Sequence, residues 1–96
     1  MKLFVVVRKD LSTSQQIVQS GHAIAEFLLK KPDTKWDNGT LVVLGLTNLD
    51  ELNKLIFKLD HTGVGWVGFQ EPDIGNELTA IACDEDESIF SGMELL

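Results

Sequence analysis

Near its start the chain carries an unbroken apolar run, Leu3-Phe4-Val5-Val6-Val7, closed by Arg8-Lys9-Asp10. A short run rich in β-branched residues, with no polar alternation, suits a strand buried on both faces. A helix-shaped segment follows. Ser12, Thr13 and Ser14 offer N-cap oxygens, and Gln15 and Gln16 are placed to complete a capping box. The helix reads on to Lys31, where Pro32 stops it, and Lys30 and Lys31 complement the carbonyl end of its dipole. Ile17, Gly21, Ile24 and Leu28 recur at spacings that put them on one side, which is expected to face the sheet. Gly21 costs helix stability, so a close approach of the backbone to the sheet is expected there. Gln15, Gln19, His22 and Glu26 form a polar stripe with two readings. It is a solvated face, or His22 sits over a cleft with amides on either side.

The remaining elements read in order. Asp33 to Gly39 is a turn-rich connection, with Trp36 folded back over the core edge. Thr40 to Leu46 is a second interior strand. Asn48 and Glu51 form a capping box for a helix whose buried side is Leu49, Leu52, Leu55, Ile56 and Leu59 and which ends near Gly63. His61 falls in its last turn and reads as a capping residue. Val64 to Gln70 is a third strand, with Trp66 and Phe69 on opposite faces, and Gly65 and Gly68 suggest a bulge or close packing. Glu71-Pro72-Asp73-Ile74-Gly75-Asn76 is a loop, and Leu78 to Cys83 a fourth strand. Asp84-Glu85-Asp86-Glu87 reads as a solvated charge run, and Ile89 to Leu96 as a tail tied to the sheet. Alternating strands and helices favour a mainly parallel sheet with helices on both faces, the last two strands being antiparallel.

Ninety-six residues fit a single domain, 1–96, with one modest core. The lone cysteine, Cys83, rules out an internal disulfide and reads as a small core residue in a reducing, cytoplasmic compartment. No segment is long and apolar enough for a bilayer, and the start has no signal-peptide pattern. Two histidines and one cysteine, far apart in sequence, argue against a metal. A net charge of −7 argues against a nucleic-acid partner when taken whole. Its distribution says more. Residues 1–35 hold six of the eight basic residues against three acids, and residues 36–96 hold two against twelve. The basic end of the first strand and helix is therefore a place where a polyanion could still be met; ordinary helix-end charge is the alternative.

Several fragments together resemble the type 2 peptidyl-tRNA hydrolase family: Val5-Val6-Val7-Arg8-Lys9-Asp10-Leu11, then Gln19-Ser20-Gly21-His22-Ala23, then Trp36 and Gly39 before Leu41-Val42-Val43. Glu51-Leu52 with Leu55 ahead of Gly63-Val64, and the ending Ser91-Gly92-Met93-Glu94-Leu95-Leu96, continue the match in order over nearly the whole chain. The resemblance implies a three-layer α/β/α sandwich on a four-stranded mixed sheet, and metal- and cofactor-independent cleavage of the ester joining a peptide to the 3′ end of a tRNA. It also implies a site at the start of the first helix and in the loop after the third strand. There His22 fits the family's histidine. The family's helix lysine falls at Gln15, and its Asp-Ala-Gly loop is replaced by the shorter Glu71-Pro72-Asp73, so that Glu71 or Asp73 stands in. Thr79 lies near the place of the family's threonines.

Two functions follow as expectations. In an ester hydrolase, His22 is the general base oriented by Glu71 or Asp73, and Gln15 and Gln19 position the substrate. Arg8, Lys9, Lys30 and Lys31 then contact phosphates. Glutamine brings no charge to an oxyanion, and losing such a stabiliser removes about 10²–10³ in rate. The alternative is a binding or interaction module that retains the sandwich without the hydrolysis. The expected partners are tRNA, no membrane, and a second copy joined through exposed apolar surface.

Overall fold

The computed structural model describes residues 1–85 and 87–96, so Asp86 of the acidic run lies outside the described residues. Strands β1 (Lys2–Arg8), β2 (Thr40–Leu46), β3 (Val67–Glu71) and β4 (Glu77–Cys83) form one sheet in the order β2-β1-β4-β3. Helix α1 (Thr13–Lys30) follows β1, and α2 (Leu49–Thr62) follows β2. β1 pairs with β2 in parallel, whereas β4 is antiparallel to both β1 and β3. The mainly parallel sheet expected from the element order is thus a mixed one. The short β3–β4 connection makes a hairpin, and that hairpin docks on β1 through its second strand.

Side-chain alternation along β1 feeds a core on each face. Leu3, Val5 and Val7 meet Ala23 and Phe27 of α1, together with Val67, Ala80, Ala82 and Trp36. Phe4 and Val6 meet Leu52, Leu55 and Leu59 of α2, with Leu44, Ile81, Cys83 and Phe90. The two helices therefore lie on opposite faces, and β1 is covered twice, as its unbroken apolar run requires. Trp36 closes the edge of the first core and donates its indole N–H to the Thr40 carbonyl at 2.9 Å.

Local chemistry sets the helix ends. Ser12 Oγ accepts from the Gln15 amide at 3.2 Å, and Asn48 Oδ1 accepts from the Glu51 amide at 3.0 Å. Gln16 turns back to donate to the Lys9 and Leu11 carbonyls, leaving the Gln15 side chain for another partner. Gly63 ends α2 at φ 75°, where only glycine is unstrained. His61 sits in that last turn with its ring against Phe57. The tail pairs with the outer edge of β2, Gly45 N to Glu94 O and Leu96 N to Val43 O, both at 3.0 Å. The acidic run is anchored as well as solvated: Asp84 accepts from Thr34, Glu85 from the Gly65 amide, and Glu87 pairs with Lys2.

One expectation is reversed. The face of α1 on the sheet is Gln19, Ala23 and Phe27, while Ile17, Gly21 and Leu28 point to solvent and Ile24 lies at the margin. A Cβ built on Gly21 would meet nothing within 4 Å, so no close approach to the sheet accounts for it. The helix carries apolar residues on two sides, and spacing alone does not say which one the sheet takes.

Candidate functional site

A polar network lies where the first half of α1 crosses β3 and β4. Gln19 is completely buried and makes three hydrogen bonds. Its Nε2 donates to Gln15 Oε1 and to Glu71 Oε1, both at 2.9 Å, and its Oε1 accepts from Thr79 Oγ1 at 2.8 Å. Thr79 is also fully buried and Glu71 nearly so. An amide is the group that can do this, since it donates twice and accepts at the same time.

A bulge brings Thr79 into reach. β3 and β4 pair Phe69 with Ala80 and then Gln70 with Leu78, so Thr79 is the extra residue without an opposite number. Ala80 already faces α1, and Ile81 faces α2. Strict alternation would aim Thr79 at the α2 side with Ile81. The inserted residue re-aims it toward Gln19 instead. The irregularity suggested by Gly65 and Gly68 is present in this hairpin, but at Thr79. Gly68 answers to close packing: a Cβ there would stand 2.7 Å from Leu78 and 3.0 Å from Trp66.

His22, one turn beyond Gln19, is exposed. Its ring stacks on Phe69, with centroids 4.2 Å apart and planes within 8°. No hydrogen bond joins it to either carboxylate proposed to orient it. Glu71 is turned to Gln19, and Asp73 is exposed in the 3₁₀ turn Pro72–Ile74. The sequence-derived group thus divides. Gln15, Gln19, Glu71 and Thr79 meet in one network, His22 stands beside it on an aromatic support, and Asp73 is apart. Phe69, which supports the ring, is not marked as a site residue by the sequence, because a partly buried strand aromatic carries no local sign of what lies above it.

The basic residues are dispersed and mostly paired with acids. Arg8 is buried and bidentate to Asp10, at 3.0 and 2.8 Å, and reaches Glu77 at 2.6 Å and the Leu78 carbonyl at 3.1 Å. The hydrogen bonds to Asp10 keep the guanidinium charged even more firmly than usual, and Arg8 in turn holds the Asp10 carboxyl below the usual carboxylate range. Arg8 is thereby a structural clamp and not an open phosphate contact. Lys9 bonds Glu94 at 3.2 Å and Lys30 lies 3.4 Å from Glu26. Lys30 and Lys31 stand at the far end of α1 from Arg8 and Lys9, about 27 Å along an 18-residue helix.

A groove of about 540 Å³ runs along β3 between Lys30, Ile56, Trp66, Gly68 and Leu78, clear of His22 and the network. Among the described residues no three His, Cys, Asp or Glu side chains gather as a metal site would need, and no helix is long and apolar enough to cross a membrane.

Neither a protein-family model nor a curated protein matches this chain. Among solved structures, a protein of unknown function from Agrobacterium tumefaciens, Atu0240, superposes with a TM-score of 0.72 at 15% identity, over 99% of this chain and 96% of that one. At that identity the likeness shows the fold: a small α/β domain with a four-stranded mixed sheet and two helices.

Proposed function

We propose that the protein is a binding or interaction module built on a peptidyl-tRNA hydrolase-like sandwich, working in the cytoplasm without peptidyl-tRNA cleavage. One observation carries this reading. Glu71, the buried acid of the site, hydrogen-bonds Gln19 and not His22. A histidine general base needs a partner that fixes its tautomer and stabilises its charged form. The neighbour in the lysine's place, Gln15, is a neutral amide that accepts from Gln19. What remains is a flat ring pair, His22 on Phe69, beside the network in which Gln15 is the exposed amide. That surface suits recognition by stacking and hydrogen bonding.

A second reading, ester hydrolysis, is favoured by one specific observation. Gln15, Gln19, His22, Glu71 and Thr79, drawn from three elements, converge on the same patch. Incubation of the purified protein with a defined peptidyl-tRNA, beside a His22→Ala variant, separates the two. The expected result is peptide release at the buffer rate for both proteins. Release by the wild type that the variant loses would overturn the module reading and establish the hydrolase.

A further inference from the structure

Glu71 is an acid left half satisfied. It is only 8% exposed, and no basic side chain pairs with it among the described residues. Arg8, the other buried charge among them, is held by both Asp10 and Glu77. Acids are rarely buried without a counter-charge, because leaving water is costly for an ion. The one partner of the Glu71 carboxylate is neutral: Gln19 Nε2 donates to Oε1 at 2.9 Å. Oε2 accepts from no group of the chain. Every fully buried side-chain nitrogen or oxygen among the described residues has a hydrogen-bond partner, so Oε2 reaches the surface. The site therefore presents one open carboxylate oxygen, backed by a fixed amide network.

The neighbourhood supplies no positive charge to complete it. Glu77 lies directly opposite Glu71 across the hairpin, and facing like charges repel. Arg8 is outnumbered by the two acids that share it. Lys9 bonds Glu94 at the β2 edge, and Lys30 stands about 16 Å along α1 from Gln19. Gln15, where the resemblance implies a lysine, is neutral. The missing charge thus belongs to something that binds. A metal ion is a poor fit, because three His, Cys, Asp or Glu side chains do not gather here. A guanidinium would want both carboxylate oxygens, and Gln19 occupies one. A single open oxygen suits the compact charge of an ammonium group. Phe69 and Glu71 are alternate residues of β3, about 7 Å apart on the face toward α1, so the His22–Phe69 ring pair lies beside the carboxylate. We infer that the site takes a protonated amine, its ammonium donating to Glu71 Oε2 and its carbon part lying against the His22 ring. The inference rests on reading the patch as a recognition site and names what that site recognises.

Titration of isotope-labelled protein with phenethylamine at neutral pH, followed by amide correlation NMR, tests this. Saturable shifts are expected at the Gln19 side-chain amide, His22 and Phe69. Phenethyl alcohol has the same ring and chain without the charge, and is expected to bind at least about tenfold more weakly. Glu71→Gln keeps an acceptor for Gln19 and removes the charge, so it should weaken amine binding by at least about the same factor. Far-UV circular dichroism checks that this variant is folded; if it is not, the comparison of amine with alcohol on the wild type decides alone. N-acetyl-lysinamide separates the sources of the amine. Shifts with it at the same residues support a lysine side chain of a peptide, and shifts with phenethylamine alone support a free amine. No shifts with either amine would overturn the inference, as would equal affinity for amine and alcohol or undiminished binding by folded Glu71→Gln. Those results would leave the module reading standing, which is overturned separately by peptide release from peptidyl-tRNA.

Discussion

Replacing Gln19 with alanine would strip the buried Glu71 carboxylate of its hydrogen-bond partner, whereas the Thr79 hydroxyl would keep its bond to the Phe69 carbonyl at 3.3 Å. An unsatisfied buried polar group costs about 1–3 kcal/mol, and more when charged. Gln19→Ala is therefore expected to lower unfolding free energy by about 1–3 kcal/mol, read as a shift of the urea midpoint. Asp10 offers a pH test. Its folded-state carboxyl is held below the usual carboxylate range by the hydrogen bonds to Arg8, so its contribution is complete above the unfolded-state pKa and disappears as pH falls through the lower folded one. Acidification from pH 5 to pH 2, a window of the order set by ordinary carboxylate pKa values, should destabilise the wild type more steeply than Asp10→Asn. Equal slopes would refute the clamp. Of the Gln19 geometry, only the bond to Gln15 four residues back could be read from its own neighbourhood. Gln19 shares the spacing of Gln15, His22 and Glu26, and its buried partners lie 52 and 60 residues away. The Thr79 bulge, which turns a hydroxyl to the opposite face, leaves no local signature in sequence.

At the scale of single elements, legibility followed how many faces an element could bury. β2 runs over Thr40–Leu46 as its apolar pattern required, and α2 has one apolar side, which packs on the sheet. The third strand is shorter than its pattern, beginning at Val67, because Gly65 and Trp66 lead out of α2 before pairing starts. α1 was readable as a helix but not in its orientation. Phe27 with Ala23 and Gln19 makes a small, close-fitting face for the sheet, while the bulkier stripe of Ile17, Leu28 and Leu29 is left outside. Gly21→Ala follows from this placement. With open space at its Cβ, the change should raise stability by about 0.5–1 kcal/mol, measured by urea unfolding. A loss of stability would mean that Gly21 is packed against the rest of its own chain.

For the molecule as a whole, alternating strands and helices foretold three layers, and the resemblance implied a mixed sheet. The seat of β4 between β1 and β3 was hidden, because it depends on pairings such as Phe4 with Cys83 that span almost the entire chain. The layout tolerates extensive change in sequence, as the likeness to the Agrobacterium protein at 15% identity illustrates. Alternation and helix stripes can be kept by many different residues.

That strand order has a practical outcome. The sheet consists of two stretches, each continuous in sequence, that meet along the single seam between β1 and β4. The second stretch also reaches round to the far side of the first, where Leu95 bridges Leu44. A ribbon made of β1 and β2 would thus have neither flank closed without the other half. Peptides divided between β2 and α2 should each be largely unstructured alone and regain the native circular dichroism spectrum when mixed. A first fragment that folds unaided would show that the seam is dispensable.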